Sequence, residues 1–374
     1  MPDTNRMIAL IWDIPAQREE DLHAALQFAP KPLLSAPRLR LTVCTMTSPI
    51  KYAHALQGPD RRRALSEDEA IALLRDDTLA WVHLDGTHPQ ARTWIETHLS
   101  YLDPHAISAL VAEETRPRAT VLGDGVLAIL RGVNLNEGAE REDMISIRIY
   151  ADAHRIVSLS RRRLRAVEDV EQALAGGHGP DDPAAFLGMM SERLIARMDE
   201  VVADIDDHLE QLEIDVMSAT PETADTTERN RQHILDLRQT VIGLRRYAAP
   251  QRDALSELEH SGLEWFDALD QRRLEESRDR LTRLIEDLDA MRERLTVLRE
   301  EISGQLSDRL NRNMYLISIV SVLFLPLGVL TGLFGVNVGG MPGASEPMAF
   351  YVFCGALALI LLVQVIALRR MRWM

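Results

Sequence analysis

The sequence predicts an α+β soluble domain with a largely antiparallel sheet, followed by long stalk helices and two C-terminal transmembrane α-helices. Three features carry this expectation. Two uncharged apolar runs of 21 residues, Met314–Phe334 and Met348–Leu368, lie near the C-terminus, each matching the roughly 20 residues that cross a hydrocarbon core about 30 Å thick. Before them, a heptad of apolar residues runs from Asp270 with no proline until Pro326. Further upstream, short β-rich runs alternate with helical stretches over residues 50–180.

Residues 1–45, punctuated by Pro30, Pro32 and Pro37, read as a poorly structured N-terminal extension, with Met46 a candidate translation start. Residues 46–180 form the cytoplasmic α/β domain. Strands are expected at Trp81–Leu84, Thr120–Leu122, Val126–Gly132, Met144–Tyr150 and Arg155–Ser160, and helices near 67–76, 89–99, 104–112 and 164–175. Asp124-Gly125 and Asp152-Ala153-His154 have the composition of tight turns between neighbouring strands.

Residues 181–313 form the helical stalk. One helix is expected at about 184–218 and a second at about 222–248, with Pro250 marking a break. The third runs from Asp270 into the first apolar run, nearly 100 Å at about 1.5 Å per residue. Leu274, Leu281, Leu288, Leu295 and Ile302 occupy one seam position, and Leu284, Met291 and Leu298 the other. A seam this long needs other long helices of the same chain, or copies of itself around an axis. Residues 314–374 complete the chain as a two-helix membrane module.

Orientation follows from the arginines. Arg309 and Arg312 precede the first span, and Arg369, Arg370 and Arg372 follow the second, while the connection Gly335–Pro347 has no Lys or Arg. The positive-inside rule puts both termini and the soluble domain in the cytoplasm.

A formal net charge of −15 makes the chain a poor candidate for binding nucleic acid and a plausible one for collecting divalent cations. Within the first stalk helix, Asp199, Glu200, Asp204, Asp206, Asp207, Glu210, Glu213 and Asp215 form a face with no Lys or Arg among residues 199–215. Such a face is ordinarily solvated surface; beside a membrane module it also has the charge to concentrate cations. Cys44 and Cys354 make neither a disulfide framework nor a Cys-rich zinc site, and Cys354 reads as a packing residue of the second span. His83 and His88 are the best-spaced histidine pair, on a strand end and a turn, where a structural role is the plain reading. No Walker A loop, HExxH or nucleophile elbow is present, and Gly123-Asp124-Gly125 reads as a hairpin turn, so no enzyme and no cofactor is expected.

The connection between the spans is rich in Gly335, Asn337, Gly339, Gly340, Pro342 and Gly343. Irregular backbone at this depth is tolerated where it is buried or lines an aqueous path. A ring of Asn337 amides would offer neutral oxygens to a hydrated cation without trapping it.

Phe334-Gly335-Val336-Asn337, after a first span bearing Pro326, resembles the Gly-Met-Asn signature of CorA-type metal ion transporters, with Val in place of Met. The longer run Thr331–Gly343 is similar to the ZntB-like zinc transporter branch. So are His83-Leu84 with Thr87-His88-Pro89, Thr115-Arg116-Pro117-Arg118, and Arg245–Asp253. The resemblance covers about residues 50–374. It implies a homopentamer in the lipid bilayer of the bacterial inner membrane, with a funnel-shaped cytoplasmic domain and a pore-lining first span. The implied pore face is Asn311, Met314, Ile317, Ser321, Leu325 and Gly328, leading to the selectivity loop Gly335, Val336 and Asn337; the spacing from 311 to 328 fits one helical stripe. Many CorA proteins carry a pore-facing Thr where this chain has Gly328. The implied cargo is Zn2+, with Mg2+, Co2+ and Ni2+ as further candidates and Asn337 as the contact for the hydrated ion. The alternatives are a Mg2+/Co2+ channel on the same architecture, and a non-conducting membrane-anchored coiled-coil scaffold.

Overall fold

A computed structural model describes residues 48–58, 61–113, 115–218, 224–335 and 346–370. All of them belong to one compact unit, Ser48–Met374. The expected extension 1–45 and the candidate start Met46 lie outside the described residues.

The soluble part is built on a six-stranded sheet: β1 (Ile50–Ala55), β2 (Ala80–Asp85), β3 (Arg118–Leu122), β4 (Gly125–Gly132), β5 (Ile145–Ala151) and β6 (Arg155–Ser160). The spatial order is β1-β2-β6-β5-β4-β3. Every neighbouring pair is antiparallel except β2 and β6. Local chemistry sets the hairpins. Leu122 pairs with Gly125 across a two-residue turn in which Gly123 takes φ +60°, the left-handed region glycine enters without a Cβ clash. At the β5–β6 turn, the Asp152 N–H donates to the Arg155 carbonyl at 3.0 Å and Asp152 Oδ1 accepts from the His154 N–H at 2.9 Å.

Helices cover both faces of the sheet, which explains its near-continuous apolar strands. On β4, Val126, Ala128 and Leu130 enter one core, and Leu127 and Ile129 the other. The second core is closed by α1 (Glu67–Arg75), α2 (Ala91–His98) and α3 (Pro104–Val111). A reciprocal Ser66–Glu69 capping box starts α1, and Asp103 followed by Pro104 starts α3. The larger core lies under α4 (Arg165–Ala175) and runs on into the stalk.

Strand β1 is absent from the sequence-based expectation. Its run Ile-Lys-Tyr-Ala-His-Ala is weak in intrinsic β-preference. Pairing with β2 and the stacking of Tyr52 on Trp81, centroids 6.4 Å apart, decide its state instead.

The stalk consists of α5 (Pro183–Ser218), α6 (Ala224–Glu259) and the 68-residue α7 (Ala268–Gly335); α8 (Ala349–Arg370) follows. Pro250 does not break the second helix, which continues through it to Glu259. A proline inside a helix costs about 3 kcal/mol, and tertiary contacts just beyond it offset that cost. Ala254, Leu255 and Leu258 are buried, and Gln251 Oε1 accepts the backbone N–H of Arg131 on β4 at 2.6 Å.

All eight heptad residues of α7 are buried within the single chain, against α5 and α6. The seam is therefore satisfied intramolecularly, and the heptad by itself does not call for copies around an axis. Beyond Gln305, whose amide still donates to the Val216 carbonyl of α5 at 3.4 Å, the cover ends: Leu306 and Leu310 are exposed.

Candidate functional site

Two helices, α7 and α8, are long and apolar enough to cross a membrane. They pack antiparallel along one stripe of α7. Ile319 is buried, and Leu323, Pro326, Leu327 and Leu330 are half-buried. These residues recur at the i, i+4, i+7, i+8 spacing of one helix face. On α8 the counterparts include buried Leu368 and half-buried Gln364 and Phe353, whose ring lies 4.8 Å from that of Phe334.

The stripe implied to line a pore sits on the other side. Asn311, Met314, Ile317, Ser321, Leu325 and Gly328 are all exposed in the single chain. At about 100° per residue their mean direction lies roughly 180° round the helix from the α8 contact. Little on this face holds an ion tightly. Ser321 Oγ donates to the Ile317 carbonyl at 2.8 Å, so its proton is committed to its own helix while its lone pairs face outward. A Cβ built on Gly328 would meet nothing within 4 Å. Gly335 is the last residue of α7; Val336 and Asn337 lie outside the described residues.

The acidic face of α5 differs from its reading in sequence. Arginines pair with five of its eight carboxylates, four of them reached from other elements and one from Arg197 of α5 itself. Asp199 is held by Arg280, Asp204 by Arg141, and Glu200 by Arg197; Arg294 holds Asp206 at 2.6 Å and Glu213 at 2.8 Å. Asp215 Oδ1 accepts from the Gln211 amide at 3.0 Å. Among the described residues only Asp207 and Glu210 of this set form no ion pair or hydrogen bond. The face looks unbalanced along the sequence because its cations come from elsewhere in the chain. Arg280 and Arg294 lie on α7, and Arg141 in the β4–β5 connection.

His83 is fully buried, with Nδ1 2.8 Å from Ser158 Oγ and Nε2 3.1 Å from Ser160 Oγ. Burial, and secondarily the Lys51 charge, pull its pKa down to about 3, so it is a neutral structural imidazole with both nitrogens occupied. His88 Nδ1 accepts the Gln90 N–H at 3.2 Å on the surface turn. No three His, Cys, Asp or Glu side chains come together as a metal-binding group among the described residues. Cys354 is exposed on the single chain and free.

Sequence reasoning overlooked Gln364, the one amide in the second apolar run. Its Nε2 donates to the Val322 carbonyl at 3.3 Å, across to α7. A proline in a spanning helix signals such a partner, because the carbonyl four residues before it loses its donor.

An α+β domain, a three-helix stalk and a paired apolar module define a membrane protein whose longest helix joins the α+β domain to the bilayer. Residues 76–370 match the CorA-like Mg2+ transporter protein family, and the chain belongs to that family. It is 39% identical over 326 residues to the divalent cation transporter CmaX of Pseudomonas aeruginosa, covering 86% of this chain and 96% of that one. It is 35% identical over 326 residues to the zinc transport protein ZntB of Pectobacterium carotovorum, covering 86% and 95%. Against the solved structure of full-length CmaX the TM-score is 0.74 at 38% identity, covering 87% of this chain and 98% of the other.

Proposed function

We propose that this protein transports divalent cations, Zn2+ foremost, across the bacterial inner membrane through an axial pore formed by five copies. The supporting observation is the stripe from Asn311 to Gly328: a face of small, apolar and neutral polar residues, uncovered in one chain and directed away from α8. Copies of the chain arranged around that face would bury it and leave an uncharged channel. Such a wall lets an ion keep much of its water, and the Ser321 oxygen and Met314 thioether would be its first neutral contacts, the sulfur favouring Zn2+ over Mg2+. In this reading Gly335, Val336 and Asn337 form the outer mouth, with the Asn337 amide meeting the hydrated ion. Both termini are cytoplasmic, and the stalk feeds the pore from that side.

The preference for Zn2+ draws on the similarity to ZntB. A second reading, a Mg2+/Co2+ channel, draws on the description of the family as Mg2+ transporters. Flux into liposomes carrying zinc- and magnesium-sensitive dyes separates the two. Zinc entry carries the first reading, and magnesium entry without zinc the second. Absence of both would leave a non-conducting scaffold. Asn337→Ala is expected to abolish zinc flux with the oligomer intact, and undiminished flux in that variant would remove the loop from the mechanism.

A further inference from the structure

Pro326 opens a gap in the hydrogen-bond ladder of α7. Its ring nitrogen carries no proton, so the Val322 carbonyl has no helical donor. Within a hydrocarbon core no water fills that place, and an orphaned carbonyl is costly. The partner comes from the other helix: Gln364 Nε2 of α8 donates to Val322 O at 3.3 Å.

The described serine and threonine hydroxyls of the module are engaged elsewhere. Ser318 donates to Met314, Ser321 to Ile317, and Thr331 to Leu327 and Gly328, each within α7 itself. Gln364 also bears a cost in this role, because its Oε1 is buried with no partner. An amide kept in a spanning helix with half its hydrogen-bonding capacity unused is explained by the half that is used. Geometry ties the contact to conduction. Pro326 and the Val322 carbonyl face α8, while Ser321 and Leu325, each one residue earlier, belong to the opposite stripe. Ser321 and Leu325 lie within the turns that the Pro326 gap loosens, so a change of helix direction there would move both.

We infer that Gln364 is a positioning residue for cation passage: its amide replaces the donor missing at Pro326 and lets the outer helix fix the bend of the pore-lining helix. The link to passage rests on the pore reading above; the coupling between Gln364 and Pro326 does not.

The test is a double-mutant cycle on the full-length protein, read by thermal unfolding in detergent and by Zn2+ flux in liposomes. Gln364→Leu removes the donor, while Pro326→Ala restores a backbone N–H to Val322. Gln364→Leu alone is expected to lower the folded-to-unfolded ratio about threefold, the scale of an average interhelical hydrogen bond in a membrane, and to reduce flux with the oligomer intact by cross-linking. In the Pro326→Ala background the same substitution should change neither reading. Equal effects of Gln364→Leu in both backgrounds would overturn the inference. If Gln364→Leu fails to accumulate, Pro326→Ala must rescue it, and failure to rescue overturns the inference equally. A wild-type protein without flux would sink the pore reading, while the unfolding cycle would still report on the Gln364–Pro326 pair.

Discussion

Arg294 and Glu213 form a two-point pair between α7 and α5, with Nε to Oε1 at 2.8 Å and Nη2 to Oε2 at 2.9 Å. The remaining Nη1 donates to Asp206 at 2.6 Å. One guanidinium thus binds two carboxylates a little under two helical turns apart, and locks the stalk helix onto its neighbour just above the point where α5 ends. The hydrogen bonds from Arg294 hold the Glu213 carboxyl below its ordinary range. A depressed carboxylate pKa adds stability above the unfolded value, and that stability is lost as pH falls through the folded one. Arg294→Gln is therefore expected to cost roughly 1 kcal/mol at neutral pH, the upper end for partly exposed pairs. The difference from wild type should shrink below about pH 4. Thermal unfolding followed by circular dichroism across that range is the measurement.

Arginines pair with five of the eight carboxylates and Asp215 is engaged by the Gln211 amide, so the charges on this helix most open to a cation are Asp207 and Glu210. Removing those two charges should slow zinc uptake at low ionic strength and lose its effect near 0.15 M salt, where screening acts over about 8 Å. Removing Asp206 and Glu213 should instead loosen the stalk and leave the salt dependence of uptake unchanged. Equal salt dependence in both double variants would show that this face steers no ions.

The same contrast marks how far the sequence could be read. Periodicity located every long helix and five of the six strands, because burial on one stripe or one sheet face leaves its period in the chain. It could not assign partners. Leu274, Leu288 and Ile302 required a long companion, but whether α5 and α6 or another copy supplied it depends on contacts distant in sequence. Arg294 lies 81 residues from Glu213, and no local pattern announces that pair. Strand β1 was missed for the reverse reason, since its own residues prefer no sheet and β2 recruits them. At the candidate pore, the stripe from Asn311 to Gly328 was legible from helical spacing. Its position opposite α8 needed the packing of Ile319 and Leu368.

Asp270 makes the upper end of the stalk sensitive to pH. It is 5% exposed in the first turn of α7, where Asp267 Oδ1 accepts its N–H at 2.8 Å and Arg273 lies 3.4 Å away. Asp182, which caps α5 through the Ala185 N–H at 2.7 Å, adds a second negative charge nearby. Burial first, then the charges of Asp182 and Asp267, push the Asp270 carboxyl up to about 6. A raised carboxylate pKa favours the fold below the unfolded value, and that advantage is lost as pH rises through the folded one. Asp270→Asn should raise the unfolding temperature at pH 7.5, with the gain falling to nothing by about pH 4. Asp267→Ala, which removes the side-chain acceptor for the Leu269 and Asp270 N–H groups, should lower it at neutral pH. A gain for Asp270→Asn that persists unchanged at low pH would assign the effect to packing rather than to charge.

The two faces of α7 also make opposite predictions for chemical access. Cysteine placed at Ser321, Leu325 or Gly328, in a chain lacking Cys44 and Cys354, should react with a water-soluble thiol reagent in membranes. The stripe faces an aqueous path in the proposed assembly, and an aqueous thiol ionises where one in lipid does not. Cysteine at Leu323, Leu327 or Leu330 should stay unreactive, because α8 covers that face. Zinc in the medium should slow labelling at the first three positions and leave the second three unchanged. Should none of the six react, the helix would be an anchor, and the opposition between its two faces would serve packing alone. Labelling at all six would mean that α8 does not stay on the Ile319 stripe in the membrane. Labelling confined to the first set would leave the pore reading resting on access measured in a bilayer as well as on the geometry of a single chain.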